Sequence, residues 1–320
     1  MSAEHGQATR RIAALGECMI ELCERRDATL SRGYAGDTLN TATYLRRLLP
    51  AAGYRVDYVT ATGEDHLSER MIASWQAEGI GTELVQRLPG ELPGLYWIRT
   101  DERGEREFFY WRGHSAARKV LSNDHAGRID AALNEGDLLY LSGISLAILA
   151  PESRYALLEL LEALHRRRVR IAYDANFRAR LWEDTVDARR VQQRLLESVD
   201  VYISSFPDEA ALFGDADIEQ AAKRLAGCGV AEWILRGDPG VTLTAAGSRS
   251  TASPIDSRPV VDTTGAGDSF DAAYLAARLQ GHAPAPAIDA GHALARLVVQ
   301  HRGAIIPREA TPTLAELLSN

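Results

Sequence analysis

The chain has 320 residues, of which 46% are hydrophobic and 25% charged, and a formal net charge of −8 at neutral pH. That length and apolar fraction can bury a large core without disulfide or metal staples. An acidic balance disfavours broad binding to nucleic acid or to anionic membranes, since both need a basic face.

The three cysteines, Cys18, Cys23 and Cys228, are an odd number in a long chain, which argues for a reducing compartment rather than a disulfide framework. No second pair accompanies Cys18 and Cys23 to complete a metal site. Residues 1–11 are polar and lack the apolar centre of a signal peptide. The longest apolar-looking run, 138–150, is interrupted by Ser142, Gly143 and Ser145 and is too short to span a bilayer. Together these features predict a cytoplasmic protein.

In chain order, 12–19 reads as a strand, 38–49 as a helix, 56–61 as a strand and 66–78 as a helix. The rhythm then changes. Segments 82–86, 94–100 and 105–111 are strand-like with no helix between them, and Asp101-Glu102-Arg103-Gly104 reads as a hairpin turn. Alternation resumes with a strand at 138–141, a helix at 152–166, a strand at 169–173, a helix at 186–198 and a strand at 201–203. A helix at 217–226, a strand at 233–236, a hairpin near 241–253, a helix fed by the glycine turn of 262–270 and a last helix at 285–301 complete the order. Repeated strand-helix units predict an α/β fold, with a mostly parallel sheet covered by helices on both faces. The non-alternating strands predict a small β lid, formed by parts of about 20–36 and 82–113. No repeat or long linker divides the chain, so 1–320 is expected to form one domain.

In open α/β sheets ligands bind beyond the carboxyl ends of the strands, and several polar clusters fall there. Gly36, Asp37 and Asn40 open the first helix; Asp37 and Asn40 can bond sugar hydroxyls, or Asp37 can simply cap the helix. Asn176 and Arg178 follow the 169–173 strand, where Arg178 can fork onto a carboxylate or phosphate, or make a surface ion pair. Tyr110, Trp111 and Arg112 end the lid hairpin and suit a planar anionic ligand, or form an aromatic patch for a dimer made through the lid.

The most informative stretch is Asp262-Thr263-Thr264-Gly265-Ala266-Gly267-Asp268-Ser269-Phe270. It reads as a glycine turn feeding a helix, which leaves backbone N–H groups unpaired at the positive end of the dipole. An aspartate beside such an anion cradle repels what the amides attract, so Asp268 is either a proton acceptor or a first-turn helix acid. The only lysines are Lys119 and Lys223, and neither follows a glycine, so no lysine phosphate loop exists. A nucleotide must be held by amides and arginines.

That stretch, with the Gly36-Asp37-Thr38-Leu39-Asn40 segment near the other end, resembles the two signatures of the ribokinase-like (PfkB) carbohydrate kinases. Five further segments, among them Leu92-Pro93-Gly94-Leu95-Tyr96, Tyr110-Trp111-Arg112 and Arg302-Gly303-Ala304-Ile305-Ile306-Pro307-Arg308, resemble the bacterial members of that family that act on a keto-deoxy sugar acid. The resemblance runs nearly end to end. It implies phosphorylation of 2-keto-3-deoxygluconate at its 6-hydroxyl by ATP with Mg²⁺. By the same resemblance, Asp268 is the base and Gly265, Ala266 and Gly267 form the anion hole. Gly36, Asp37, Asn40, Tyr96, Tyr110, Arg112 and Arg178 meet the sugar acid. Asn176, Arg178, Arg236, Gly237, Asp238 and Gly240 join the glycines at the nucleotide, and K⁺ lies between the 302–306 turn and the 262–264 segment. The chain departs from many relatives at Ser204-Ser205-Phe206-Pro207-Asp208-Glu209, where Ser replaces an expected Asn. Asp208 or Glu209 is left to order the water shell of Mg²⁺, unless both are simply helix-terminal acids. The competing expectations are a fructokinase or ribokinase acting on a neutral sugar, and a non-catalytic sugar-binding regulator of the same fold.

Overall fold

The structure, a computed structural model, describes residues 9–24, 27, 29–100, 106–237, 241–244, 249–251 and 260–319. Among these residues thirteen strands are placed. They are β1 (Arg10–Leu15), β2 (Met19–Glu24), β3 (Leu30–Ala35), β4 (Tyr54–Thr62), β5 (Val85–Arg87), β6 (Leu95–Thr100), β7 (Arg106–Trp111), β8 (Leu138–Ser142), β9 (Arg170–Asp174), β10 (Val201–Ser205), β11 (Glu232–Arg236), β12 (Val241–Thr244) and β13 (Arg249–Thr251).

Nine of them form one sheet in the order β13-β12-β11-β10-β9-β8-β1-β4-β5. From β11 to β5 every neighbouring pair is parallel, and β12 and β13 add an antiparallel hairpin at the edge. Period-2 alternation in β1 sends Ile12 and Ala14 into the core on one face and Ala13 and Leu15 into the core on the other. Buried on both faces, such a strand shows a continuous apolar run, which is what 12–15 shows. The helices Asp37–Leu48, Ala266–Leu279 and Pro284–Val298 cover the first face, and Pro151–Arg166 and Thr185–Leu196 the second.

The second sheet has four strands, in the order β3-β2-β6-β7. Met19, Ala35, Tyr96 and Ile98 form its small core. Two expectations need correction. The segment read as a single strand over 12–19 breaks at 16–18, where Gly16 and Glu17 interrupt the apolar run and the chain leaves the main sheet for the lid. The 82–86 segment does not join the lid. As β5 it pairs in parallel with β4, Thr60 opposite Val85, because Leu84, Val85 and Leu88 are buried in the two cores of the main sheet. The turn at 101–104 lies outside the described residues, and the two strands it joins are antiparallel, with Tyr96 opposite Tyr110.

The glycine-led helix is the central one of its face: Phe270, Ala272, Ala273, Tyr274, Ala276 and Ala277 are all at most 1% exposed. Small residues let Pro284–Val298 approach closely, and at Gly291 an added Cβ would lie 2.7 Å from the Phe270 ring. Glycine to alanine inside a helix ordinarily stabilises by up to about 1 kcal/mol. Gly291→Ala is predicted instead to destabilise by about 1–3 kcal/mol in urea unfolding, because the new methyl overpacks Phe270.

Candidate active site

The strands β8, β9, β10 and β11 end at Ser142, Asp174, Ser205 and Arg236, and a cleft of about 640 Å³ opens beyond these ends beneath the lid. This is the position a parallel sheet offers a ligand. Asp37, Asn40, Asn176, Arg178, Arg236, Gly265, Gly267 and Asp268 line it from the body, and Tyr96, Tyr110 and Arg112 from the lid. Residues as far apart in sequence as Asp37 and Asp268 therefore share one space.

The Ala266–Leu279 helix begins at Gly265, whose φ is +78° and where a Cβ would meet the Ala304 carbonyl oxygen at 2.6 Å. Only glycine meets both demands without strain. In the first turn the N–H groups of Gly267 and Asp268 have no carbonyl one turn earlier to bond, so they stand with the positive end of the helix dipole. The turn itself is tied down from behind. Asp262 accepts from the Thr264 N–H at 3.1 Å, the Thr264 hydroxyl at 2.7 Å and the Gly303 N–H at 2.6 Å. The two segments expected to flank K⁺ are thus already joined through protein groups.

Asp268 receives the Asn40 side-chain N–H at 2.7 Å. Burial, reinforced by the nearby Asp37 charge, pushes its carboxyl up to about 7, while the Asn40 bond and Arg236 hold it down. A free aspartate ionises near 4. Asn40 is buried, and its amide oxygen has no donor among the described residues, which leaves an acceptor for a ligand hydroxyl. Asp37 makes no cap to the helix it opens beyond its neighbour's N–H; it accepts from the Ser142 hydroxyl at 2.5 Å and the Asn176 amide at 2.8 Å. Asn176, expected at the nucleotide, is therefore held beside the sugar-side aspartate. Its φ of +31° turns the chain out of the extended form that would have pointed it alongside Arg178.

At the lid, Tyr96 and Tyr110 stack with ring centroids 5.8 Å apart. Arg112, expected to be a free cation for a substrate carboxylate, instead pairs with Glu17, whose other oxygen takes the Ser115 hydroxyl. Glu17 is buried; burial pushes its carboxyl up against the lowering effect of Arg112. The Arg112 charge is largely answered by protein. Arg178 donates to the Phe177 carbonyl at 2.9 Å and lies 3.5 Å from Asp208. Arg180, which the sequence analysis passed over, also lines the cleft, with its guanidinium 4.7 Å from the centre of the Tyr110 ring. Two positions after Arg178, on the Ala179–Leu181 turn, it had only that spacing as a signal.

Of the two metal candidates, Asp208 faces the cleft and Glu209 does not. Glu209 is 1% exposed and accepts from Tyr202, Ser204 and Arg224 on the far side of its helix, so it is withdrawn as a ligand. Among the described residues no group of three or more His, Cys, Asp or Glu side chains is placed to hold a metal directly. Asp208, lining the cleft with Asp37, Asp174 and Asp268, fits Mg²⁺ that arrives on phosphates and keeps its waters. Gly237 lines the cleft next to Arg236, while Asp238 and Gly240 lie outside the described residues.

The Asp268 carboxyl is predicted to titrate near pH 7 in carbonyl ¹³C NMR of the folded protein. In Asn40→Ala, which removes a bond favouring the ionised form, the midpoint moves to higher pH; an unmoved or lowered midpoint contradicts the assignment.

Residues 9–311 match the family described as pfkB family carbohydrate kinase. The chain is 44% identical over 308 residues to 2-dehydro-3-deoxygluconokinase of Escherichia coli strain K12, covering 95% of this chain and 99% of that one. It is 39% identical over 304 residues to 2-dehydro-3-deoxygluconokinase of Haemophilus influenzae, covering 94% and 97%. Among solved structures it is similar to 2-dehydro-3-deoxygluconokinase of Thermotoga maritima, with a TM-score of 0.79 at 22% identity, covering 97% of this chain and 100% of that one. With its fold, its cleft and the match over nearly its whole length in agreement, the chain belongs to the pfkB family of carbohydrate kinases.

Proposed function

We propose that the protein transfers the γ-phosphoryl group of ATP to the 6-hydroxyl of 2-dehydro-3-deoxygluconate, giving the 6-phosphate and ADP. The observation that carries this reading is Asp268: a carboxyl pushed up to about 7, set in the first turn of a helix whose free amides face the same cleft. The 6-hydroxyl oxygen attacks the γ-phosphorus, its proton passes to the Asp268 carboxylate, and the bond to the β,γ-bridging oxygen breaks. A base poised near neutrality takes the proton during attack and loses it to water afterwards. The N–H groups of Gly267 and Asp268 and the helix dipole answer the charge on the equatorial oxygens, that of Ala266 being already given to the Thr263 carbonyl at 3.3 Å, and Arg236 and Gly237 border the phosphates. Mg²⁺ bound with the nucleotide neutralises phosphate charge, and Asp208 is the cleft acid that can hold its water shell.

The substrate's own carboxylate explains the arginines. A neutral sugar needs no cation at the lid, whereas this cleft has Arg178 and Arg180 beside Tyr96 and Tyr110. With Arg112 occupied by Glu17, Arg180 becomes the cation best placed for the carboxylate, and Asp37 and Asn40 meet the hydroxyls. A monovalent cation would lie between the 262–264 and 302–306 segments, which Asp262 already joins. A second copy of the chain is the expected partner, through the outer lid face on which Phe109 and Trp111 are 40% and 59% exposed. Among the described residues no helix is long and apolar enough to cross a membrane.

Steady-state assays with 2-dehydro-3-deoxygluconate, fructose and ribose test the reading: the sugar acid should be strongly preferred, and equal turnover of the neutral sugars refutes it. Asp268→Asn should keep ATP binding and lose roughly 10²–10⁴-fold in kcat; unchanged turnover removes Asp268 from the chemistry and leaves a binding protein or another base. Arg180→Ala should raise KM for the sugar acid by about 10- to 100-fold, the scale of a lost bond to a charged group, and leave KM for ATP near its original value. A larger effect on ATP assigns Arg180 to the nucleotide.

A further inference from the structure

Two further acids lie by the base, Asp271 behind it and Asp174 in the cleft wall, and the phosphoryl-transfer chemistry described above uses neither. Asp271 follows Asp268 by three residues on the same helix and is fully buried; one of its oxygens takes the Tyr140 hydroxyl at 3.1 Å, and the other has no hydrogen-bond donor among the described residues. Asp174, at the end of β9, is 3% exposed. A single cation serves both. Arg236 Nη1 lies 3.6 Å from Asp271 Oδ1, and Arg236 Nη2 lies 3.7 Å from Asp174 Oδ1. The same guanidinium is 3.5 Å from the Gly267 carbonyl oxygen, 3.5 Å from that of Ser204 and 5.0 Å from the centre of the Phe270 ring. It is held under the glycine turn that presents the amides.

Charge counting in this interior does not close with both acids ionised. Two carboxylates and one guanidinium leave a buried anion without a counter-ion, a far costlier state than a shared proton. Among the described residues the remaining surroundings supply no further cation. Asp37 from the first helix, Asp268 from the same helix and Asp208 beyond β10 are acids that act on this group or on Arg236. Tyr140 from β8 is a neutral donor. His292, on the helix packed against Phe270, is pushed down to about 4 by burial and Arg236 and so is uncharged at neutral pH. Burial pushes Asp174 far above the usual carboxylate range and Asp271 up to about 6, Arg236 holding both down.

We propose that Asp174 and Asp271 act as one acid that holds a single proton, and that this pair is the counter-ion which keeps Arg236 beneath the glycine turn and away from Asp268. Neither residue meets the reacting atoms; they are positioning residues. The arrangement lets Arg236 border a phosphate while Asp268, 3 residues from Asp271, keeps its own proton affinity. Without the pair, the acids left to draw the guanidinium are Asp208 and the base itself, and an arginine on Asp268 would hold it ionised and weaken it as a proton acceptor.

Two measurements test this. Infrared difference spectra at neutral pH, wild type minus Asp271→Asn and wild type minus Asp174→Asn, should each show the loss of one protonated-carboxyl C=O stretch. The expected reason is that the acid left alone beside Arg236 ionises. Loss in one variant only, or in neither, overturns the shared proton. This arm is independent of the assigned reaction and of the double variant's folding. The second arm rests on the proposed phosphoryl transfer. In Asp174→Asn/Asp271→Asn, kcat should fall on the order of 10²-fold beyond the product of the two single effects. The acid limb of the kcat/KM profile should move to lower pH, since a guanidinium drawn to Asp268 lowers its ionisation midpoint. Multiplicative effects with an unmoved limb overturn the counter-ion role. If the sugar acid is not the substrate, the infrared result still stands, which separates failure of this proposal from failure of that reading.

Discussion

The organising constraint of this molecule is a partly buried carboxyl group at the positive end of a helix. Asp268 lacks part of the solvation that would hold it ionised at low pH, faces the like charge of Asp37, and is balanced by one short bond from Asn40. Those opposed influences set a proton acceptor near neutrality next to amides that attract anions. Each demands a neighbour fixed within a few tenths of an ångström. The two-faced parallel sheet supplies this fixity: the residues that meet Asp268 stand at strand ends and helix starts rather than on free loops.

The cleft divides its charges by depth. At the floor, Arg236 is flanked by two buried acids and cannot leave. At the lid, Arg112 is committed to Glu17, which makes it a structural tie between the lid and the start of the chain. Between them, Arg178 and Arg180 are exposed and can reorganise around a ligand. On the proposed reading, the exposed pair and the two lid tyrosines are the surface that would tell a sugar acid from a neutral sugar.

What the sequence made legible follows the range of the forces involved. The glycine turn, its helix and the aspartate within it depend on neighbours a few residues away, so the 262–270 stretch announced both geometry and chemistry. Alternating strand and helix patterns placed most of the main sheet for the same reason. The mistakes came where a distant partner decided the outcome. Glu17 is 95 residues from Arg112, and nothing local to Arg112 shows that its charge is already answered. Asp208 and Glu209 are adjacent, and only the direction of their helix, with Arg224 waiting behind it, sends one to the cleft and the other to the interior. The three-residue strand β5 carries too short a pattern to show which sheet it joins. Asp174 and Asp271 stood inside motifs already noted, yet their burial around a common arginine is a property of three strands and a helix together.

The central claim is that the acceptor alcohol sits between Asp268 and a phosphoryl group held by main-chain amides. A crystal structure with 2-dehydro-3-deoxygluconate and a non-hydrolysable ATP analogue tests it most directly. The account predicts the 6-hydroxyl within about 2.6–3.2 Å of the Asp268 carboxylate, with the terminal phosphoryl oxygens on the amides of the 265–268 turn. A sugar bound with that hydroxyl turned from Asp268, or a nucleotide whose terminal phosphate docks away from the turn, would contradict it.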